Sequence, residues 1–113
     1  MEIGALDFAG GTVVHINSAA AALVAAIMLG KRKGWRKEMI IPHNIPITIF
    51  GAGILWFGWF GFNAGSALAA NEIAVLAFMT THIAAAASAL SWMMIEWFIY
   101  GKTTAVGIAT GAV

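Results

Sequence analysis

Asp7-Phe8-Ala9-Gly10-Gly11-Thr12-Val13-Val14-His15-Ile16-Asn17-Ser18 opens an apolar run that continues through Ala22, Leu23, Val24, Ile27 and Leu29. About 20 predominantly apolar residues cross a bilayer as a helix, and this run is long enough. A carboxylate and an imidazole therefore stand at or inside a membrane span. Insertion scales put Asp at a helix centre at roughly 2.5–3.5 kcal/mol, so an ionisable residue at such depth is a functional candidate by default. Asp7 and His15 are the first two candidates.

The composition agrees with this reading. The chain has 113 residues, of which 61% are hydrophobic and 10% charged, whereas soluble domains carry about 25% charged residues. A chain so short of polar surface is an integral membrane protein with the lipid bilayer as its solvent. Two further apolar runs follow the first, and spans are expected over about 8–29, 45–70 and 72–100. The period-2 alternation of barrel strands is missing, and lipid demands internally satisfied backbone, which leaves helices. The fold class is all-α. The absence of cysteine excludes disulfides and thiolate metal sites. Met1-Glu2-Ile3 puts an acid where a secretory signal would carry bases, so no cleavable leader is expected. No phosphate-binding loop, dinucleotide fingerprint or hydrolase elbow occurs, so neither an enzyme nor a cofactor is expected.

Five of the six basic residues lie in Gly30-Lys31-Arg32-Lys33-Gly34-Trp35-Arg36-Lys37-Glu38, between the first two spans. The positive-inside rule places loop 30–38 in the cytoplasm and argues against a nucleic-acid surface. Asn71-Glu72, between spans two and three, then lies outside, and Lys102 lies inside. Asn71 is expected to cap span three, with Glu72 favourable at the positive helix end. Pro42 and Pro46 mark the entry to span two. Trp92, Trp97 and Tyr100 form an aromatic belt at the inner end of span three, and Glu96 among them is expected to face the interface or a partner helix.

Asp7, Gly11, His15 and Ser18 fall on one face if the helix already includes Asp7, with His15 about 12 Å further along the axis. That distance rules out an acid–base pair. Trp59, Phe62 and Ser66 share a face at i, i+3 and i+7. They are either core packing or an aromatic gate beneath a small cation site, since ring faces attract cations and a hydroxyl accepts hydrogen bonds. His82 is expected to be a packing residue bonded to a neighbouring carbonyl. His15, His43 and His82 lie at different depths, so no metal site is expected. Gly61-x-x-x-Gly65 reads as general helix packing.

Asp-Phe-Ala-Gly-Gly-Thr-Val-Val-His at 7–15, Pro-His-Asn at 42–44, Gly-Trp-Phe-Gly-Phe-Asn-Ala-Gly-Ser at 58–66 and Ala-Asn-Glu at 70–72 closely resemble the ammonium transporter (Amt/Mep/Rh) family, in order and over nearly the whole chain. The resemblance implies three transmembrane helices, the fifth to seventh, of an eleven-helix bundle built from inverted repeats and assembled as a homotrimer. Residues 1–113 would form a partial transporter domain in the cell (plasma or inner) membrane, carrying ammonium or ammonia as substrate. By the same resemblance Asp7 supports the outer vestibule, Ser66 contributes to the external ammonium site, Phe62 is one of two gate phenylalanines, and His15 is the first of two pore histidines. Trp59 lines the lumen near His15. His82 stands where the family more usually has valine and inherits no role. A membrane ammonium sensor of the same fold is the alternative, and loop 30–38 is a candidate contact for a cytoplasmic nitrogen-signalling regulator.

Overall fold

The structure, a computed structural model, describes residues 4–113; the acidic opening at residues 1–3 lies outside the described residues. Among those described there are four helices and no strand: α1 (Gly11–Leu29), α2 (Ile45–Gly65), α3 (Glu72–Tyr100) and α4 (Ala105–Ala112). The first three are long and apolar enough to cross a membrane, so the chain is an all-α, multi-pass membrane protein. At 1.5 Å per residue, their 19, 21 and 29 residues come to about 28, 32 and 44 Å. The hydrocarbon core is about 30 Å thick, so α1 and α2 match it and α3 must tilt or protrude.

The helix boundaries correct two expectations. α1 opens at Gly11 rather than near residue 8, because Gly10 sits at φ 76, outside the helical region. Asp7 belongs to the turn before it, where the Gly10 N–H donates to the Asp7 carbonyl at 3.3 Å. The single face of Asp7, Gly11, His15 and Ser18 therefore does not form. α2 ends at Gly65, short of Ala70. There the Ala67 and Leu68 N–H groups turn back to the Ala64 and Gly65 carbonyls at 3.2 and 3.0 Å, with Leu68 at φ 54. The run 67–70 is apolar, so hydropathy alone carries the span past its backbone end.

The caps follow local chemistry. Asn44 Oδ1 accepts from the Ile47 N–H at 3.0 Å, with Pro46 in the first turn of α2, where its missing donor costs nothing. Asn71 Oδ1 accepts from the Ala74 N–H at 3.0 Å, with Glu72 in the first turn of α3, as expected. α3 stops at Gly101, whose φ of 70 is a left-handed closure that glycine adopts at little cost.

The chain divides into two compact units, Met1–Pro42 and His43–Val113. The first holds α1 and the basic loop. In the second, α2 packs on α3 through rings. Phe60 stacks on Phe78 at 4.2 Å, and the His82 imidazole lies 5.5 Å from Trp56 and 5.9 Å from Phe60 between centroids. His82 is thus a packing residue against aromatic faces rather than one bonded to a carbonyl. Gly61 and Gly65 have nothing within 4 Å of where a Cβ would stand.

Close approach occurs instead in α4, a helix the hydropathy pattern did not announce, where Gly107 meets the Glu96 carboxylate and Gly111 meets the α3 backbone at Ser88 and Ala89. Gly107, Ala109, Gly111 and Ala112 are buried. A Cβ at Gly111 would lie 2.8 Å from Trp92 Cβ, 2.9 Å from the Ser88 carbonyl oxygen and 3.0 Å from Ala89 Cα. Glu96 fastens the same corner. Its carboxylate accepts from the Thr104 N–H at 2.8 Å, from the Thr104 hydroxyl at 3.0 Å and from Trp92 Nε1–H at 3.2 Å. Gly111→Ala is therefore expected to remove about 1–3 kcal/mol of stability, the usual cost of overpacking. Thermal unfolding of the full-length protein in detergent measures this, and an unchanged midpoint contradicts the packing of α4 on α3.

Candidate functional site

In the unit Met1–Pro42, Asp7 and His15 occupy different structural settings. The Asp7 carboxylate folds back over the start of α1, with Oδ1 accepting from the Thr12 N–H at 3.1 Å and Oδ2 from the Val13 N–H at 3.4 Å. The first N–H groups of a helix have no intrahelical partner and carry a partial positive charge. A carboxylate in that place satisfies two donors and opposes the helix dipole. Asp7 is thus an anchor for the backbone at the head of α1.

His15 lies one turn into the helix. Its Nδ1 is 2.9 Å from the Gly11 carbonyl oxygen. A carbonyl only accepts, so Nδ1 must carry the proton, and a neutral ring then presents Nε2 as its acceptor. The bond to the preceding turn fixes the tautomer by geometry. Ser18 is spent locally, its hydroxyl donating to the His15 carbonyl at 3.1 Å.

In the unit His43–Val113, Phe62 and Ser66 stand at the C-terminal end of α2. The Ser66 hydroxyl donates to the Phe62 carbonyl at 2.6 Å. Its one proton is thereby committed, and the oxygen turns lone pairs outward. Helix C-termini carry a partial negative charge that favours cations. A hydroxyl lone pair, this helix end and the neighbouring Phe62 ring together suit a compact cation that brings its own N–H donors. The Phe62 side chain is 39% exposed. Trp59, one turn earlier, lines a hollow of about 380 Å³ together with Asn63, Thr81, Ser88, Trp92 and Thr110.

Two features of this unit lay beyond the sequence reading. One is the helix C-terminus beside Ser66, hidden by the apolar run after it. The other is Asn63, whose amide donates to the Thr81 hydroxyl at 2.8 Å across the α2–α3 seam. An amide inside a long apolar helix was itself the available signal, since such a group needs a partner there.

A family model described as Ammonium Transporter Family matches residues 1–113. The chain is 59% identical over 110 residues to an ammonium transporter of Aquifex aeolicus, covering 97% of this chain and 25% of that protein. It is 54% identical over 112 residues to ammonium transporter Amt1 of Archaeoglobus fulgidus, covering 99% of this chain and 28% of that protein. It is 51% identical over 112 residues to an ammonium transporter of Bacillus subtilis, covering 99% and 27%. The chain spans about a quarter of the length of these curated relatives.

Proposed function

Because the chain belongs to the ammonium transporter family, we propose that it forms part of the wall of a pore that passes ammonium or ammonia across the cell membrane. Ser66 receives ammonium at the outer mouth, Phe62 gates the way inward, and His15 meets the permeant in the apolar lumen. Asp7 holds the outer backbone in register. A narrow apolar lumen penalises a bare charge heavily, so a proton leaves the ammonium or is handed on. His15 Nε2 is the atom placed to accept a hydrogen bond or a proton. Sodium and potassium have no proton to give up and stay out. The family resemblance further implies a homotrimer, and the basic loop 30–38 faces a cytoplasmic regulator of nitrogen signalling.

The observation that carries this reading is the Ser66 hydroxyl spent on the Phe62 carbonyl at 2.6 Å, which leaves an acceptor at the negative end of α2. Ammonium supplies four N–H donors and one charge. A hydrogen bond to a charged group is worth about 1.5–3 kcal/mol. In the full-length protein, Ser66→Ala is therefore expected to raise the apparent KM for ammonium about tenfold or more, while Ser66→Thr, which keeps the hydroxyl, preserves it. Concentration-dependent uptake in a transporter-null strain measures both. An unchanged KM in Ser66→Ala removes Ser66 from the binding site.

A further inference from the structure

We propose that Asn63 and Thr81 form a positioning strut that sets the rotation of α2 about its own axis and thereby aims Phe62 and Ser66; this rests on the pore reading above. Asn63 Nδ2–H donates to Thr81 Oγ1 at 2.8 Å, and the Thr81 hydroxyl passes its own proton to the Ala77 carbonyl at 2.6 Å. Both side chains are half-buried. The relay ends on the α3 backbone, so the strut ties α2 to a rigid element and not to a second mobile side chain.

The rest of the α2–α3 seam has little directional character. Its ring contacts are Trp56 and Phe60 against Phe78 and His82. Apolar contact is non-directional, and ring pairs tolerate offsets over a range of centroid separations. Such a seam holds α2 against α3 without fixing its twist. A hydrogen bond does fix it, because it weakens steeply once bent. The leverage is short. Asn63 follows Phe62 directly in sequence and stands one turn from both Trp59 and Ser66. Side chains at the rim of a helix lie about 5 Å from its axis, so a rotation of about 20° carries the Phe62 ring roughly 2 Å sideways. Displacements of about 1 Å at a reactive or binding site already have large consequences.

Asn63 and Thr81 also line the hollow of about 380 Å³ that contains Trp59. The strut thus reaches all three candidate residues on α2, and its role is to hold them rather than to touch the permeant.

The test uses the full-length transporter and the ratio of methylammonium to ammonium uptake. That ratio does not depend on how much protein reaches the membrane, so a loss of folded protein alone does not move it. Thr81→Val keeps the shape and removes the acceptor and donor. It is expected to shift the ratio about three- to tenfold, the range that a hydrogen bond between membrane helices supports. Thr81→Ser, which keeps the hydroxyl, is expected to restore the wild-type ratio. The exchange of Asn63→Thr with Thr81→Asn re-forms the pair and is expected to restore it as well. Phe62→Ala and Ser66→Ala serve as references. A shift in those two with none in Thr81→Val overturns the strut and leaves the pore reading standing. No shift in any variant overturns the pore reading, and the strut falls with it. Where Thr81→Val does not reach the membrane, the exchange decides: a wild-type ratio supports the strut and a shifted one overturns it.

Discussion

His15→Ala in the full-length protein is expected to lower ammonium-dependent growth and uptake in a transporter-null strain by about a hundredfold or more, the lower end of what a positioned proton-transfer group contributes. The reason lies in the ring's two nitrogens. Nδ1 is committed to the Gly11 carbonyl at 2.9 Å, so the ring is held in one tautomer and one orientation by its own helix. Nε2 is then the single basic atom left at this depth of α1. Alanine removes both functions at once, and two further variants separate them. His15→Asn places an amide N–H near the position of Nδ1 and has nothing at Nε2, so it keeps the anchor without the base. His15→Gln reaches further, toward the position of Nε2, with an atom that accepts a hydrogen bond but does not take a proton at neutral pH. If proton acceptance matters, both amides fail alongside alanine. If hydrogen bonding alone matters, His15→Gln retains uptake and His15→Asn does not. Uptake and ion selectivity that remain unchanged in His15→Ala would remove the imidazole from the pathway.

The fold was legible in the sequence wherever composition and punctuation agreed. Three spans follow from apolar runs that no soluble surface explains, and Asn71-Glu72 announced the start of α3. Legibility failed where the backbone departs from the hydropathy pattern. Gly10 at φ 76 delays α1 until Gly11, although Phe8 and Ala9 are apolar. The turn at Ala67 and Leu68 ends α2 inside an apolar run. α4 escaped notice because its eight residues are too few to form a span and are rich in glycine. Its signals are Thr104, whose hydroxyl accepts from the Gly107 N–H at 2.9 Å, and the Gly107–Gly111 spacing. Glu96 was visible as an anomaly, but its partner lies eight positions on, across a chain reversal. At the candidate site the sequence supplied residue types and left their orientation open. Only coordinates reveal that Ser66 and His15 each give a proton to the carbonyl four residues back. That shared local habit turns both side chains into outward-facing acceptors, a property of rotamers and not of spacing.

Asp7→Ala is the second large effect expected, and it should read first as a loss of structure at the head of α1. The Asp7 carboxylate accepts from two backbone donors, Thr12 at 3.1 Å and Val13 at 3.4 Å. Replacing a side chain that caps a helix start by alanine costs about 0.5–2 kcal/mol in water-soluble helices, and the favourable interaction of an exposed carboxylate with the helix dipole adds about 0.3–1 kcal/mol; Asp7 is exposed and acts from three residues before the Gly10 N-cap. The combined loss of about 1–3 kcal/mol corresponds to roughly a 5- to 150-fold fall in the ratio of correctly begun to frayed α1. His15 sits one turn further on and takes its orientation from the Gly11 carbonyl in that same opening turn. Fraying there releases the imidazole as well, so the anchor and the pore residue are coupled through Gly11. This coupling separates a structural Asp7 from one that binds ammonium directly. A direct ligand predicts that Asp7→Asn raises KM steeply, because the charge is gone. A backbone anchor predicts that Asp7→Asn keeps one oxygen acceptor, holds Thr12 or Val13, and retains measurable uptake with a KM near wild type. The cycle of Asp7→Ala with His15→Ala adds a second discriminator: the double variant should be little worse in uptake than His15→Ala alone, because Asp7→Ala acts on the pathway by releasing the ring that His15→Ala has already removed. Uptake measured across the four proteins, with the thermal midpoint of each in detergent, decides the matter. Fully additive losses, or a wild-type midpoint in Asp7→Ala, would refute the anchor.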